Sequence, residues 1–190
     1  MHLLSILLFA ISSNMDNLVI GLSYGIKKIR IPILSNIVIS LITFIGTAFS
    51  MIIGKELLNI IPESIANIIG SVVIIIIGGY YLIKFIYNKT KDNEQKGEEY
   101  DVDKSGCIEL RESFLLGLAL SINNIGLGIS ASIIGLNIIA TATVSFVFSL
   151  LFLYLSNAFG KSFMSNFLGK YAEPISSILM ILLGIYEIFI

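Results

Sequence analysis

Six apolar runs, each long enough to cross a lipid bilayer, dominate this 190-residue sequence. The hydrocarbon core of a bilayer is about 30 Å thick, and an α-helix needs roughly 20 apolar residues to cross it. The runs lie at about residues 2–25, 33–54, 64–86, 113–134, 138–158 and 172–190. They are apolar on all sides and lack the alternating pattern of membrane β-strands. The sequence therefore predicts an all-α integral membrane protein with six transmembrane helices.

The charged residues are concentrated in one segment. The chain has 12 basic and 13 acidic residues, and 14 of these 25 lie between Lys84 and Glu112. A segment of this composition cannot bury enough apolar surface to fold alone. We interpret residues 88–112 as a charged hinge, a flexible tether between a first three-helix unit at 1–87 and a second at 113–190.

The Lys and Arg residues predict the orientation of the chain, because cytoplasmic loops of membrane proteins carry an excess of them. Eleven of the twelve lie in or beside the loops after the first, third and fifth runs, and only Lys55 lies on the other side. We therefore expect the hinge at 88–112 to be cytoplasmic and both termini to be outside.

The composition argues against several other classes of protein. A net charge of −1 and the lack of a basic face disfavour nucleic-acid binding. Cys107 and His2 are the single Cys and His, so neither a disulfide nor a Cys/His zinc cluster can form. The Gly-Lys pairs at 54 and 160 lack the flanking residues of a phosphate-binding loop. No nucleophile, base and metal set converges on one depth, so we expect neither an enzyme nor a permanently bound cofactor.

Short matches between the two halves predict an internal repeat. Offsets of 106 and 107 residues align Asp16 with Asn123, Gly21 with Gly128, Ser50 with Ser156, Gly54 with Gly160, and Gly78 with Gly184. Each half has three spans, an odd number, so the second half would be upside down in the membrane relative to the first. Two inverted three-helix repeats are the plan of many secondary transporters.

Asp16 lies near the centre of the first predicted span, where a charged side chain is unfavourable. The free-energy cost there is at least about 2.5 to 3.5 kcal/mol, so Asp16 should face the bundle interior with partners or an ion. The repeat aligns Asp16 with the polar centre of the fourth span, and the two would face each other if these spans cross. The candidate ligands of a cation site between these two spans are Asp16, Asn17, Asn123 and Asn124, with Asn14 and Ser121 as secondary candidates.

Small residues suggest how the first and fourth spans could approach each other. Gly21 and Gly25 share one face of the first span, and Gly117 and Gly128 share one face of the fourth. We expect these faces to let the two helices cross. An alternative applies to the Asn and Ser residues, which often only hydrogen-bond to neighbouring helices, at about 0.6 kcal/mol each.

Two long segments of the sequence resemble the manganese efflux pump (MntP) family. They are Ser13–Pro32 and Leu115–Gly128, with shorter likenesses at Asn137–Ala142 and Gly169–Glu173. The similarity is greatest to the YtaF-type sporulation branch of that family. The resemblance implies a six-helix protein of the bacterial inner membrane that exports Mn²⁺ past one aspartate in the first span and another in the fourth.

The sequence departs from the family pattern at the second aspartate. The resemblance places Asn123 there, and neutral residues around Ser40, Thr43 and Thr47 stand where efflux pumps carry an acid in the second span. Mn²⁺ prefers oxygen ligands, and Asn supplies a carbonyl oxygen but no charge. One carboxylate would leave a bound divalent ion with about one uncompensated positive charge, which lowers affinity.

Two functions from different classes follow. The first is a divalent-cation transporter of the efflux type, with Mn²⁺ as the expected cargo and the lipid bilayer as its other partner. Whether two copies of the chain associate is left open. The second is a non-transporting membrane protein of the sporulation programme whose ion site has degenerated. The transporter is our leading hypothesis, and the missing carboxylates support the alternative.

Overall fold

The computed structural model describes residues 3–57, 63–88, 101, 105–160 and 164–188. The helices in these ranges are α1 (Leu3–Ser13), α2 (Met15–Ile26), α3 (Ile33–Leu57), α4 (Glu63–Asn88), α5 (Leu110–Asn123), α6 (Ile125–Ile133), α7 (Ile138–Phe159) and α8 (Met164–Ile188). The β-structure in the described ranges is a single isolated bridge between Arg30 and Cys107. The predicted all-α class is confirmed.

Several of these helices are long and apolar enough to cross a membrane. Within the described ranges they are Leu3–Ile26, Ile33–Leu57, Ile68–Tyr87 and Ile138–Phe159, and the bent pair α5 and α6 makes a fifth if it is counted as one span. The apolar part of α8, Pro174–Tyr186, is shorter. The chain is therefore a multi-pass membrane protein, while the sixth span stays a prediction.

Apolar side chains cover the outside of the helix bundle. Ile33 is 69% exposed and Phe49 is 63% exposed, as expected for side chains that meet lipid. Many buried positions are polar instead, and Ser40 and Ser149 are both 0% exposed. The bundle thus has the polarity expected of a membrane protein, with lipid-compatible groups outside and hydrogen-bonding groups inside.

Two apolar clusters form the core. The first includes Phe9, Met51, Ile74, Leu127 and Leu183, and the second includes Tyr24, Ile39, Ile108, Leu116 and Leu153. Buried polar residues lie between them along the chain, in the middle of the first, second and fifth spans. These residues are Ser12, Ser13, Asn14, Asn17, Ser40, Thr43, Ser145 and Ser149.

The first and fourth spans, which we predicted as continuous helices, are both interrupted. Asn14 separates α1 from α2, and Asn124 separates α5 from α6, where the axis bends by 46°. At the first break the Asn14 side-chain Nδ2 donates to the Ala10 carbonyl oxygen at 2.8 Å. That oxygen is the acceptor that the Asn14 backbone N–H would use in a regular helix, so the side chain competes with the helix for it.

The last span begins earlier than its apolar run suggests. Helix α8 starts at Met164, and Pro174 lies inside it. The helix therefore starts before the span that we predicted at 172–190, and Pro174 does not begin it. A proline inside a membrane helix is tolerated because neighbouring helices and side chains satisfy the carbonyl that it leaves without a donor.

The end of the charged hinge is docked on the bundle. The Arg30 N–H donates to the Gly106 carbonyl at 2.9 Å, and the Ile108 N–H donates to the Arg30 carbonyl at 2.9 Å. Ser35 Oγ also donates to the Ile108 carbonyl at 2.6 Å, and Ile108 is 0% exposed. The tether interpretation is therefore wrong for residues 105–109, because one apolar side chain and three hydrogen bonds hold them. Residues 89–100 and 102–104 lie outside the described ranges.

The glycines of the first and fourth spans pack on other helices. A Cβ added at Gly25 would lie 2.7 Å from the Cα of Gly160, the residue that caps the C-terminus of α7. A Cβ added at Gly128 would lie 3.0 Å from the Cβ of Ser50 in α3. Our expectation that these glycines let the first and fourth spans cross each other is wrong. A stripe of small residues allows a close approach, but it does not specify which helix approaches.

Candidate cation site

A cavity of about 270 Å³ lies beside the break in the first span. Its walls come from α1, α2, α4, α8 and the junction of α5 and α6. The polar side chains that line it are Ser12, Ser13, Asp16, Tyr81, Lys84, Asn124, Ser176 and Ser177. Since a water molecule in the liquid occupies about 30 Å³, the space suits several waters or a partly hydrated ion.

Asp16 supplies the carboxylate among the described lining residues. It lies in the first turn of α2, where Asn17 donates its backbone N–H to Asp16 Oδ1 at 2.8 Å. A helix N-terminus stabilises a carboxylate by typically 0.3 to 1 kcal/mol, up to about 2 kcal/mol. The cost of a charge deep in a bilayer is at least about 2.5 to 3.5 kcal/mol, so the helix end alone offsets only part of it. Asp16 therefore favours a positive charge in the cavity.

Asn124 lines the same cavity from the break in the fourth span. It is the N-cap of α6 and is 5% exposed, yet its side chain makes no capping hydrogen bond. The carboxamide oxygen is a ligand type that suits Mn²⁺. The structure thus brings two of the predicted residues, Asp16 and Asn124, to one cavity.

The serines of α8 were not found by sequence reasoning. Ser176 and Ser177 line the cavity, and Ser176 Oγ donates to the Ser12 carbonyl oxygen at 2.8 Å. This hydrogen bond satisfies a carbonyl next to the break in the first span. A pair of adjacent serines in an otherwise apolar run was the available signal, but nothing in the sequence links that pair to Asp16.

Other predicted residues lie elsewhere. Asn17 is 1% exposed and its Nδ2 donates to Asn14 Oδ1 and to Ser149 Oγ, both at 2.9 Å. Ser121 contacts Gly46 of α3, where an added Cβ would lie 2.9 Å from the Ser121 Cβ. The structure does not place these three candidates at the cavity. The side chain of Asn123 lies outside the described residues, so its role stays a prediction.

The polar group around Asn17 is closely packed. We call Asn17, Ser40, Thr43 and Ser149 the packed polar cluster, since each is at most 4% exposed. Ser40 Oγ and Ser149 Oγ are 2.9 Å apart, and Thr43 Oγ1 donates to Ser149 Oγ at 3.5 Å. Ser40 and Thr43, two of the neutral residues that the family resemblance singled out in the second span, belong to this cluster and meet Asn17 of α2 through Ser149 of α7.

In the part of the chain that the structure describes, no group of three or more His, Cys, Asp or Glu side chains is placed to hold a metal ion. A cation at Asp16 would take its remaining ligands from hydroxyl groups, amide oxygens and water, which are ligands that Mn²⁺ and Mg²⁺ accept.

Comparison with known proteins assigns the family. The family model described as "Putative manganese efflux pump" matches residues 1–83 and 63–188. This chain belongs to that family. Among relatives of the manganese efflux pump family, the "Probable sporulation protein YtaF" of Bacillus subtilis is 28% identical over 214 residues, covering 99% of this chain and 100% of that protein. The "Putative manganese efflux pump MntP 2" of Clostridium botulinum is 28% identical over 111 residues, covering 56% of this chain and 54% of that protein. No solved structure matches.

Membership of the manganese efflux pump family agrees with the resemblance carried by the Asp16 segment. The family is one of pumps and not of enzymes, which supports a membrane manganese transporter. The name of the Bacillus relative connects that protein, at least, to sporulation. The family assignment is consistent with apolar helices around a cavity whose described wall has one acidic and several neutral oxygen groups.

Proposed function

We propose that this protein is a manganese transporter of the cytoplasmic membrane that exports Mn²⁺ through the cavity beside Asp16. The observation that carries the proposal is the position of the Asp16 carboxylate, which lines a cavity of about 270 Å³ together with neutral oxygen groups. A carboxylate at this depth favours a positive charge beside it. Because the family is described as a manganese efflux pump, we propose Mn²⁺ as the cargo, with no permanently bound cofactor.

The ligand set that we propose has one charged member. Asp16 supplies the carboxylate, Asn124 a carboxamide oxygen, and Ser176 and Ser177 hydroxyl oxygens, with Asn123 as a further predicted ligand. A site with a single carboxylate binds a divalent ion more weakly than a site with two. Weak binding suits a transporter, because the ion must leave the site as well as enter it. Asn17 acts indirectly, by donating its backbone N–H to Asp16.

We propose further that the chain has six spans in two inverted repeats, related by the sequence offsets of 106 and 107. Three pairs of close contacts support this, because each contact recurs between the equivalent residues. Gly21 contacts Ser156 as Gly128 contacts Ser50. Gly25 contacts Gly160 as Ser132 contacts Gly54. Gly78 contacts Ser177 as Gly184 contacts Ser71. A pseudo-two-fold axis relating the halves produces such reciprocal contacts.

The two breaks depart from this symmetry. Asn14 and Asn124 are 110 residues apart, whereas the repeat offset near them is 107. The first span therefore breaks about one helical turn earlier than the offset predicts. As a result Asp16 falls in the first turn of α2, where a helix N-terminus stabilises its charge. We propose that this shift lets the first span carry a charged ligand, because it places Asp16 at the N-terminus of a helix.

The orientation we propose puts the hinge in the cytoplasm and both termini outside. Its support is the positive-inside rule together with the pairing of Arg30 with residues 106–108, which puts two positively charged loops at one end of the bundle. A membrane-impermeant maleimide should leave Cys107 unlabelled in intact cells and label it after permeabilisation. A cysteine introduced as Ile139→Cys, on the opposite side, should be labelled in intact cells. Labelling of Cys107 in intact cells contradicts the orientation.

Transport by purified protein in lipid vesicles tests the function. Vesicles loaded with a Mn²⁺-sensitive dye should report Mn²⁺ flux with the wild type. Flux should fall by about two orders of magnitude with Asp16→Asn, since a charged ligand worth about 3 kcal/mol is lost. Lys55→Gln, which removes an exposed charge from the end of α3, is the matched control and should transport normally.

The scaffold alternative makes a different prediction in the same assay. It is favoured by the single carboxylate among the described residues of the cavity wall. If the wild type moves no Mn²⁺ but Asn123→Asp does, the native chain is a non-transporting member of the family. In that case its role lies in the membrane-protein assemblies of the sporulation programme.

A further inference from the structure

Lys84 lines the same cavity as Asp16. It lies near the C-terminal end of α4, one turn after Tyr81, which also lines the cavity. Among the described residues of the cavity wall, Asp16 is the acidic one and Lys84 the basic one. Their formal charges cancel, so the cavity wall is neutral when no ion is bound.

This neutrality bears directly on a divalent cargo. With Lys84 in place, a bound Mn²⁺ would bring the formal charge of the cavity to about +2. Without the lysine charge it would be about +1. A positive charge on the wall of the same cavity repels a bound divalent cation, and the repulsion is stronger in a medium of reduced dielectric. The charge of Lys84 therefore opposes the binding of a divalent cation in this cavity.

The structure also permits Lys84 to withdraw. The residue is more than a third exposed and lies four residues before the end of α4. A lysine has a flexible four-carbon stem, which lets the ammonium group move between a polar cavity and the aqueous interface. Val19 and Met180 contribute apolar side chains to the same cavity wall.

We infer that Lys84 is a tethered cation that competes with the metal at Asp16 and so sets the affinity and charge preference of the site. In the empty site its ammonium group compensates the carboxylate, and a divalent ion binds when the lysine moves away. Lys84 is thus a specificity-determining residue and not a ligand. This inference rests on the proposed function, because it assumes that Asp16 binds the transported ion.

Titration of Mn²⁺ into purified protein in lipid nanodiscs tests the inference without requiring transport. The electron paramagnetic resonance signal of free Mn²⁺ reports the unbound ion. We expect Lys84→Gln to lower the dissociation constant by about tenfold and Lys84→Glu to lower it by about tenfold again, because each step removes one unit of positive charge. Lys84→Arg keeps the charge and should bind like the wild type.

The controls distinguish the effect of a charge at the cavity from that of an exposed charge elsewhere on the protein. Lys27→Gln and Lys27→Glu change an exposed lysine that does not line the cavity, and both should bind like the wild type. A purely structural role of Lys84 would give equal or weaker binding in both the Gln and the Glu variants. That result overturns the inference while leaving the proposed function intact, provided that the wild type binds and Asp16→Asn does not.

Failure of the proposed function has a different signature. If no variant binds Mn²⁺ saturably, or if Asp16→Asn binds as well as the wild type, the cavity is not the metal site. The role of Lys84 as a competitor then falls with it. A graded increase in Mn²⁺ affinity from Lys84→Arg through Lys84→Gln to Lys84→Glu, lost when Asp16→Asn is also present, supports both the proposed function and the role of Lys84.

Discussion

Helix α2 has two sides with different environments. Asp16, Val19 and Ile20 line the cavity, where there is open space and a charged group. On the other side Asn17 belongs to the packed polar cluster, and Gly21 and Gly25 contact α7. Asp16 and Asn17 are adjacent in sequence, yet Asp16 lines a space that can hold an ion, whereas Asn17 is 1% exposed and its Nδ2 donates to Asn14 and Ser149. The side of the helix, and not the polarity of the residue, separates a candidate ligand from a structural contact.

The largest effect is expected on the packed side, at Gly25. A Cβ there would lie 2.6 Å from the Asn157 carbonyl oxygen and 2.7 Å from the Gly160 Cα, and both are backbone atoms that cannot move aside alone. We expect Gly25→Ala to lower the free energy of unfolding by about 1 to 3 kcal/mol through overpacking. Denaturation of the purified protein in detergent measures this change.

Gly79→Ala is the control for that prediction. A Cβ at Gly79 would meet nothing within 4 Å, although the residue also lies in a helix. Alanine favours a helix over glycine by roughly 0.5 to 1 kcal/mol, so this variant should be as stable as the wild type or slightly more stable. Equal destabilisation by the two substitutions would show that the close approach of α2 and α7 is not what makes Gly25 necessary.

A second prediction distinguishes Asn17, on the packed side of α2, from Asn124, which lines the cavity. Asn17→Ala removes hydrogen bonds to Asn14 and Ser149, and each is worth about 0.6 kcal/mol in a membrane protein. We expect a loss of about 1 kcal/mol in unfolding free energy. The half-saturating Mn²⁺ concentration of the folded variant should stay within about twofold of the wild type. A much larger loss of Mn²⁺ affinity would mean that Asn17 contributes an oxygen to the ion after all.

The third prediction concerns the cavity side and has the smallest effect on stability. Asn124→Ala removes a side chain that makes no capping hydrogen bond, so the unfolding free energy should change by less than about 0.5 kcal/mol. The half-saturating Mn²⁺ concentration in vesicles should rise about fivefold, equivalent to about 1 kcal/mol, because a neutral oxygen ligand is lost. If Asn124→Ala and Asn17→Ala behave alike in both measurements, the distinction between the two sides is unfounded.

The membrane helices were predictable where the apolar run is uninterrupted. The runs at 33–54, 64–86 and 138–158 correspond to α3, α4 and α7 to within three residues at each end. The prediction was less good where side chains or prolines intervene. The Asn14 side chain donates to a helix carbonyl and divides the first span. Helix α8 begins at Met164, before Pro174, in a stretch of mixed polarity. Hydropathy detects the length of an apolar run, but it does not detect competition for individual carbonyls.

The candidate site was predictable in part. Asp16 could be identified from the sequence because a buried charge in a membrane has a large free-energy cost. Asn14, Asn17 and Ser121 are polar as well. Only the structure shows that Asn14 forms hydrogen bonds within the first span, whereas Asn17 and Ser121 contact other helices. Lys84, Ser176 and Ser177 reach the cavity from helices distant in sequence. No spacing rule connects them to Asp16.

By itself the sequence determined the helical class, the location of most membrane helices and the choice of Asp16 as the candidate charged ligand. These properties depend on composition along a continuous stretch of chain, which transfer free energies describe well. The tertiary structure decided which side of α2 borders the cavity, which residues complete its wall and which glycines bring helices together. Those properties depend on contacts between distant segments, and a pattern within one helix specifies a face without naming the partner that covers it.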